Sequence, residues 1–155
     1  MTIADSNSKR EALLSTLLLE LVEILRDRQG DTWTAIAKVA TEKSATIAID
    51  DVRLFLQLDQ NLAIAISEAD SEASNDFESN SITLRNIMFG RSSLEKAVAA
   101  GKIFIRASFG DLLKIRAVVA AVLADTAGEP RLANLWERFD REWTSPNYSI
   151  HGSTD

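Results

Sequence analysis

Few residues of this chain are equipped for covalent or acid–base chemistry. Its 155 residues include no cysteine and one histidine, His151, within the last five positions. That excludes disulfides, thiolate metal sites and cysteine nucleophiles, and leaves a Ser–His–Asp relay or a multi-histidine metal site without parts. Glu20 and Glu23 stand three apart, opposite the leucine stripe of a helix, where carboxylates are ordinarily solvated. The run Glu68, Asp70, Glu72, Asp76, Glu78 lacks the glycine and the spacing of a calcium helix–loop–helix, so it reads as a solvated loop. No glycine-rich phosphate loop, nucleophile elbow or dinucleotide fingerprint occurs. The expectation is therefore a protein that is not an enzyme and uses no metal and no cofactor.

Charge narrows the partners. The net charge is −6, which argues against nucleic acid, whose recognition needs a dominant positive field. The charge is uneven, however. Between Arg85 and Arg116 there are seven basic and two acidic residues, a net +5 that leaves −11 for the remainder. Such a window can meet a carboxylate, a phosphate or an anionic membrane surface. Scattered over a mixed surface, the same charges would do none of these. No segment reaches the ~18 apolar residues of a membrane span. The leucine run Leu13–Leu19 is flanked by Glu11, Glu20 and Glu23 with no small-residue cleavage site after it, so it is not read as a signal core. A cytoplasmic location is expected.

The apolar residues carry more information. Leu112, Ile115, Val119 and Val122 form one helical stripe, and Leu113, Ala117, Ala120, Ala121 and Ala124 fill much of the other side. A helix apolar nearly all round should be covered on several sides, by core packing or around something it encloses. The last helix carries Leu132, Leu135, Trp136, Phe139 and Trp143 at i, i+3, i+4, i+7 and i+11. Capping the core is the expected use of this stripe; dimerisation or gating a cavity are the other two.

These residues need elements to position them. A first helix is expected from about Lys9 to Gln29 on Leu14, Leu17, Leu18, Leu21 and Leu25, with residues 1–8 as a flexible tail. Gly30 should stop it and Asp31 cap a short second helix to Ala40. The period then changes from 3.6 to 2. Ile47–Leu58 reads as one long strand bulged at Asp50-Asp51, with Leu62–Ile66 as its hairpin partner. After the acidic loop come a strand at Ser81–Arg85, short helices near Asn86–Phe89 and Ser92–Ala100, and a strand at Lys102–Ala107. A strong helix from Asp111, a break at Gly128-Glu129-Pro130, a helix over Arg131–Trp143 and a flexible tail over 144–155 complete the order. Nothing divides the chain, so residues 1–155 are read as a single α+β domain.

The segment from Ser81 to Val122 resembles the sterol carrier protein type 2 (SCP-2) family. Ile82-Thr83-Leu84 stands where the family has its Thr-Ile-Thr-Leu type strand. Gly90 follows, then Gly101-Lys102-Ile103 between a helix and an alternating strand, then Gly110-Asp111 before the next helix. About forty residues carry the likeness well, and the first helix and the Val52–Ile66 hairpin extend it in order. Ala107-Ser108 occupies a place where relatives carry glycine, and the aromatic last helix looks like an addition.

The resemblance implies a small, mainly antiparallel five-stranded sheet covered on one face by helices. It also implies a hydrophobic tunnel between the two for fatty acyl chains, sterols or similar ligands. On that reading Met88, Phe104, Phe109, Leu112, Ile115, Val119 and Val122 line the tunnel, and Arg85 or Arg91 meets a head group. The expected function is non-enzymatic lipid binding or transfer, with transient contact to an anionic membrane surface. The alternative is an interaction module with a filled core that forms a homodimer through its aromatic last helix.

Overall fold

The computed structural model describes residues 3–143, so the tail expected at 144–155, His151 and residues 1–2 lie outside the described residues. Among the described residues, six helices and five strands follow in the order α1 (Ile3–Arg28), α2 (Gly30–Ala40), β1 (Ser44–Ile49), β2 (Val52–Leu58), β3 (Ile64–Glu68), β4 (Phe77–Ser79), α3 (Ser81–Met88), α4 (Leu94–Ala99), β5 (Ile103–Ile105), α5 (Phe109–Thr126) and α6 (Pro130–Trp143). The strands form one mixed sheet, β3-β2-β1-β4-β5. Three pairings are antiparallel, and β1 with β4 is parallel.

The chain is α+β, as its pattern implies, but several boundaries differ from the sequence reading. Helix α1 begins at Ile3 rather than Lys9. Once a helix is nucleated, each added residue gains a hydrogen bond, so polar residues of modest propensity extend it. Gly30 belongs to α2, whose N-cap is Gln29 at φ 56°; Asp31 sits in the first turn instead of capping it. The expected long strand is two strands. Ile49 pairs with Val52 across Asp50-Asp51, and Asp50 turns the chain at φ 54°. Asp tolerates this left-handed geometry better than most residues.

The expected strand at Ser81–Arg85 is helix α3. Asn80 caps it, its side chain accepting from Thr83 N–H at 2.7 Å. Thr83 and Ile87 are buried while Ile82 is 59% exposed, a helical spacing that outweighs the β-branched composition. The fourth strand is instead the short Phe77–Ser79. Gly90 and Gly101, at φ 78° and 75°, end α3 and α4. Each closes a Schellman pair: Gly90 and Arg91 donate to Ile87 and Asn86, and Gly101 and Lys102 to Val98 and Ala97.

One face of the sheet meets the helices. Register places Ile47 beside Leu54 and Phe77, and Phe77 beside Ile105. With Ile49, Val52, Leu56, Ile66 and Ile103 these residues join the apolar clusters that the helices cover. The opposite face carries Arg53, Phe55, Gln57, Glu78 and Phe104. There Arg53 pins the loop after β3, donating to Asn75 Oδ1 at 2.9 Å and to the carbonyls of Asp70 and Ala73.

The tightest packing lies between α1, α6 and the β1–β2 hairpin. Val52, Leu132 and Trp143 are fully inaccessible and Leu135 nearly so. Each such side chain contributes about 1.5–3 kcal/mol relative to remaining exposed. The aromatic stripe of α6 is thus spent on the core: Trp136, Phe139 and Trp143 are all buried within it. Polar ties fix the same helix. Arg138 donates to Glu20 of α1 at 2.7 Å, and Arg85 of α3 to Asp140 at 2.8 Å. The Trp143 indole donates to Asp50 Oδ2 at 2.8 Å, and Ser81 N–H donates to Asp50 Oδ1 at 2.9 Å. Burial raises the Asp50 pKa, but these donors outweigh it and hold the carboxyl below its usual range.

Candidate functional site

Helix α5 is the exception to this packing. Twelve of its 18 residues are apolar, yet none of its described side chains is fully buried. The elements in most extensive backbone contact with α5 are α2, α6 and α4. Its side chains bridge toward the sheet. Ile115, Val119 and Leu123 pack against the small cluster Ile87, Leu94, Ala97 and Ile103, while Val122 reaches the main core. Phe77 and Ile105 of the sheet, and Leu84 and Met88 of α3, border the same clusters and are likewise only half-buried. Water therefore reaches apolar side chains of α5 and of the sheet residues beside it, whereas Val52, Leu132, Leu135 and Trp143 elsewhere in the core are sealed from it.

The residues expected to line a tunnel divide accordingly. Ile115 and Val119 meet on the small cluster, Met88 and Val122 on the main one, and Leu112 is half-buried on α5. Phe104 does not join them. It alternates with Ile103 and Ile105, so it projects from the opposite sheet face, where it is 48% exposed. The Phe109 side chain lies outside the described residues. Sequence reasoning missed Phe77, Ile105 and Leu123. The period-2 pattern of β5 signals Ile105 and the helical stripe signals Leu123, whereas Phe77 was hidden in the acidic stretch.

The head-group expectation also changes. Arg85 is occupied by Asp140. Arg91 lies over the Phe89 ring, 5.5 Å from its centroid. Other cations line clefts: Lys38 and Lys114 an open one of about 710 Å³ between α2 and α5, Lys96 and Lys102 one of about 160 Å³ beside α3 and α4. Among the described residues, no group of three or more His, Cys, Asp or Glu side chains is placed to hold a metal ion, and no helix is long and apolar enough to cross a membrane.

The densest charged cluster is structural. Arg131 donates to Glu129 at 2.9 and 3.1 Å and to Asp27 at 3.0 Å, and Arg28 donates to Glu129 at 3.1 Å. These bonds tie the α5–α6 loop to the end of α1. Arg131 first, and then Arg28 against the opposing effect of burial, lower the Glu129 pKa from 4.5 to about 2. A depressed folded-state pKa contributes stability above the unfolded value, and that stability is lost as the pH falls from 4.5 toward 2. Glu129→Gln should therefore flatten the acid limb of stability in that window, as read by urea unfolding at neutral and acid pH. Identical acid slopes for the two proteins would contradict this assignment.

The chain matches no protein-family model, no curated protein and no solved structure.

Proposed function

We propose that this protein is a non-enzymatic lipid-binding or transfer domain of SCP-2-like architecture. It takes a fatty acyl chain, a sterol or a similar apolar ligand between α5 and the β4–β5 side of the sheet. The observation that carries this reading is the incomplete burial of α5: an 18-residue, largely apolar helix that buries no described side chain completely and packs toward Phe77 and Ile105 of the sheet, which are also half-buried, whereas Val52, Leu132 and Trp143 elsewhere in the core reach zero exposure. Element order supports it. Gly90, helix α4, Gly101-Lys102, strand β5 and helix α5 follow in the order the resemblance implies, although Ile82-Thr83-Leu84, which the resemblance takes as a strand, lies in helix α3 and the strand before it is Phe77–Ser79. The sheet's single helix-covered face supports it as well.

The driving force is ordinary. Moving a methylene from water to an apolar site is worth about 0.8 kcal/mol, so a sixteen-carbon chain gains about 12 kcal/mol gross. Association and ordering costs are subtracted from that. Ile115, Val119 and Leu123 from α5, with Phe77 and Ile105 from the sheet, supply the apolar walls. No nucleophile–base pair is part of the mechanism. The ligand enters and leaves unchanged.

Organic extraction of the purified protein followed by mass spectrometry tests the reading. A lipid recovered in stoichiometric amount is the expected result. Extracts free of lipid, from protein that also fails to take up added fatty acid, would overturn it.

A further inference from the structure

The outer side of α5 raises a separate physical problem. Leu113 is 46% exposed there, and Ala117, Ala120 and Ala124 are exposed with it. Alongside runs the cleft between α2 and α5, with Ala35, Val39 and Ala117 among its lining residues. Thr32 Oγ1 donates to Asp125 Oδ2 at 2.6 Å, fixing the start of α2 against the end of α5. The two helices therefore run antiparallel. Lys38, in the last turn of α2, comes to the same end of the cleft as Lys114, in the first half of α5. Neither lysine makes an ion pair or hydrogen bond among the described residues. Asp31, the one acid lining the cleft, lies in the first turn of α2, at the other end.

We propose that this outer α2/α5 face docks on an anionic lipid bilayer. Leu113 and the alanine ridge enter the headgroup boundary, and Lys38 and Lys114 sit level with the lipid phosphates. Charge chooses this occupant. The chain is −6 overall, yet it leaves two unpaired cations at one end of an apolar face. An anionic leaflet answers both, whereas a second copy of the same face would bring two more lysines and one acid. Apolar side chains flanked by lysines are the pattern of interfacial helices. The proposal goes beyond lipid carriage and needs no ligand inside the fold.

Co-sedimentation with vesicles tests it, using phosphatidylcholine alone and phosphatidylcholine with about one-third phosphatidylglycerol, at low and physiological salt. Binding should require phosphatidylglycerol and weaken with salt. A lysine near an anionic leaflet is worth about fivefold in binding, so Lys38→Gln/Lys114→Gln should weaken it about 25-fold. Leu113→Ser should weaken it severalfold while keeping the salt dependence. Lys96→Gln/Lys102→Gln removes equal charge from a different cleft and should leave binding near wild type. The proposal is overturned by any of four results: no binding, equal binding to both vesicles, equal losses from the two lysine pairs, or a dimer in solution that Leu113→Ser abolishes.

Discussion

Replacing Trp143 with alanine should destabilise the protein by about 4 kcal/mol, the largest effect expected of any single substitution here. Trp143 is fully inaccessible, stacks at 5.2 Å on Phe139, lies beneath the Arg10 guanidinium and donates its indole N–H to Asp50. Alanine would leave a cavity and remove one of the donors holding the Asp50 carboxylate. Domains of this size are stable by about 5–15 kcal/mol, so much of the total would be lost. Trp143→Phe separates the two contributions. It keeps an aromatic ring but not the donor, and should cost about 1.5–3 kcal/mol, as for a hydrogen bond to a charged group. Urea unfolding of the three proteins measures both. A Trp143→Ala loss below about 1 kcal/mol would mean that α6 is not the keystone of the core.

The second large effect is on binding. Val119→Trp should abolish fatty-acid uptake while costing less than about 1 kcal/mol of stability if, as proposed, the added ring enters the space that the ligand takes. If the region under α5 is already solid, the same ring overpacks it, and the loss should be about 1–3 kcal/mol or more. Measuring stability and binding on the same variant separates these cases. Val119 is the informative position because it faces the Ile87–Ile103 cluster. Ala117, one helical stripe away, lines the outer cleft, and enlarging it reports on that surface instead.

Much of this arrangement was legible in the sequence, and the failures have physical causes. The leucine period of α1, the stripe of α6 and the alternation of β5 each follow from burying one face of a regular element. The Ser81–Arg85 segment misled because Ile82 and Thr83 favour strands by composition. The deciding feature is the Asn80 cap, whose weight depends on Ile87 and Thr83 finding a buried site. The Asp50 turn was invisible for a related reason. Two aspartates between alternating aliphatics look like a bulge until Trp143 and Ser81, 93 and 31 residues away, supply the donors that hold the turn. The sequence also implied that α5 must be enclosed. Its inner side meets three helices, but Leu113 and the alanine ridge remain open to solvent. Periodicity reveals how much apolar surface a helix has. It does not reveal how much of that surface the rest of the chain can cover.

The central claim is that apolar walls beneath α5 receive a lipid. Equilibrium titration of the delipidated protein with a fluorescent fatty acid tests it most directly. The account predicts saturable uptake at one site per chain, lost in Val119→Trp and retained in Lys38→Gln/Lys114→Gln. Linear, non-saturating fluorescence that is the same in wild type and Val119→Trp would contradict it.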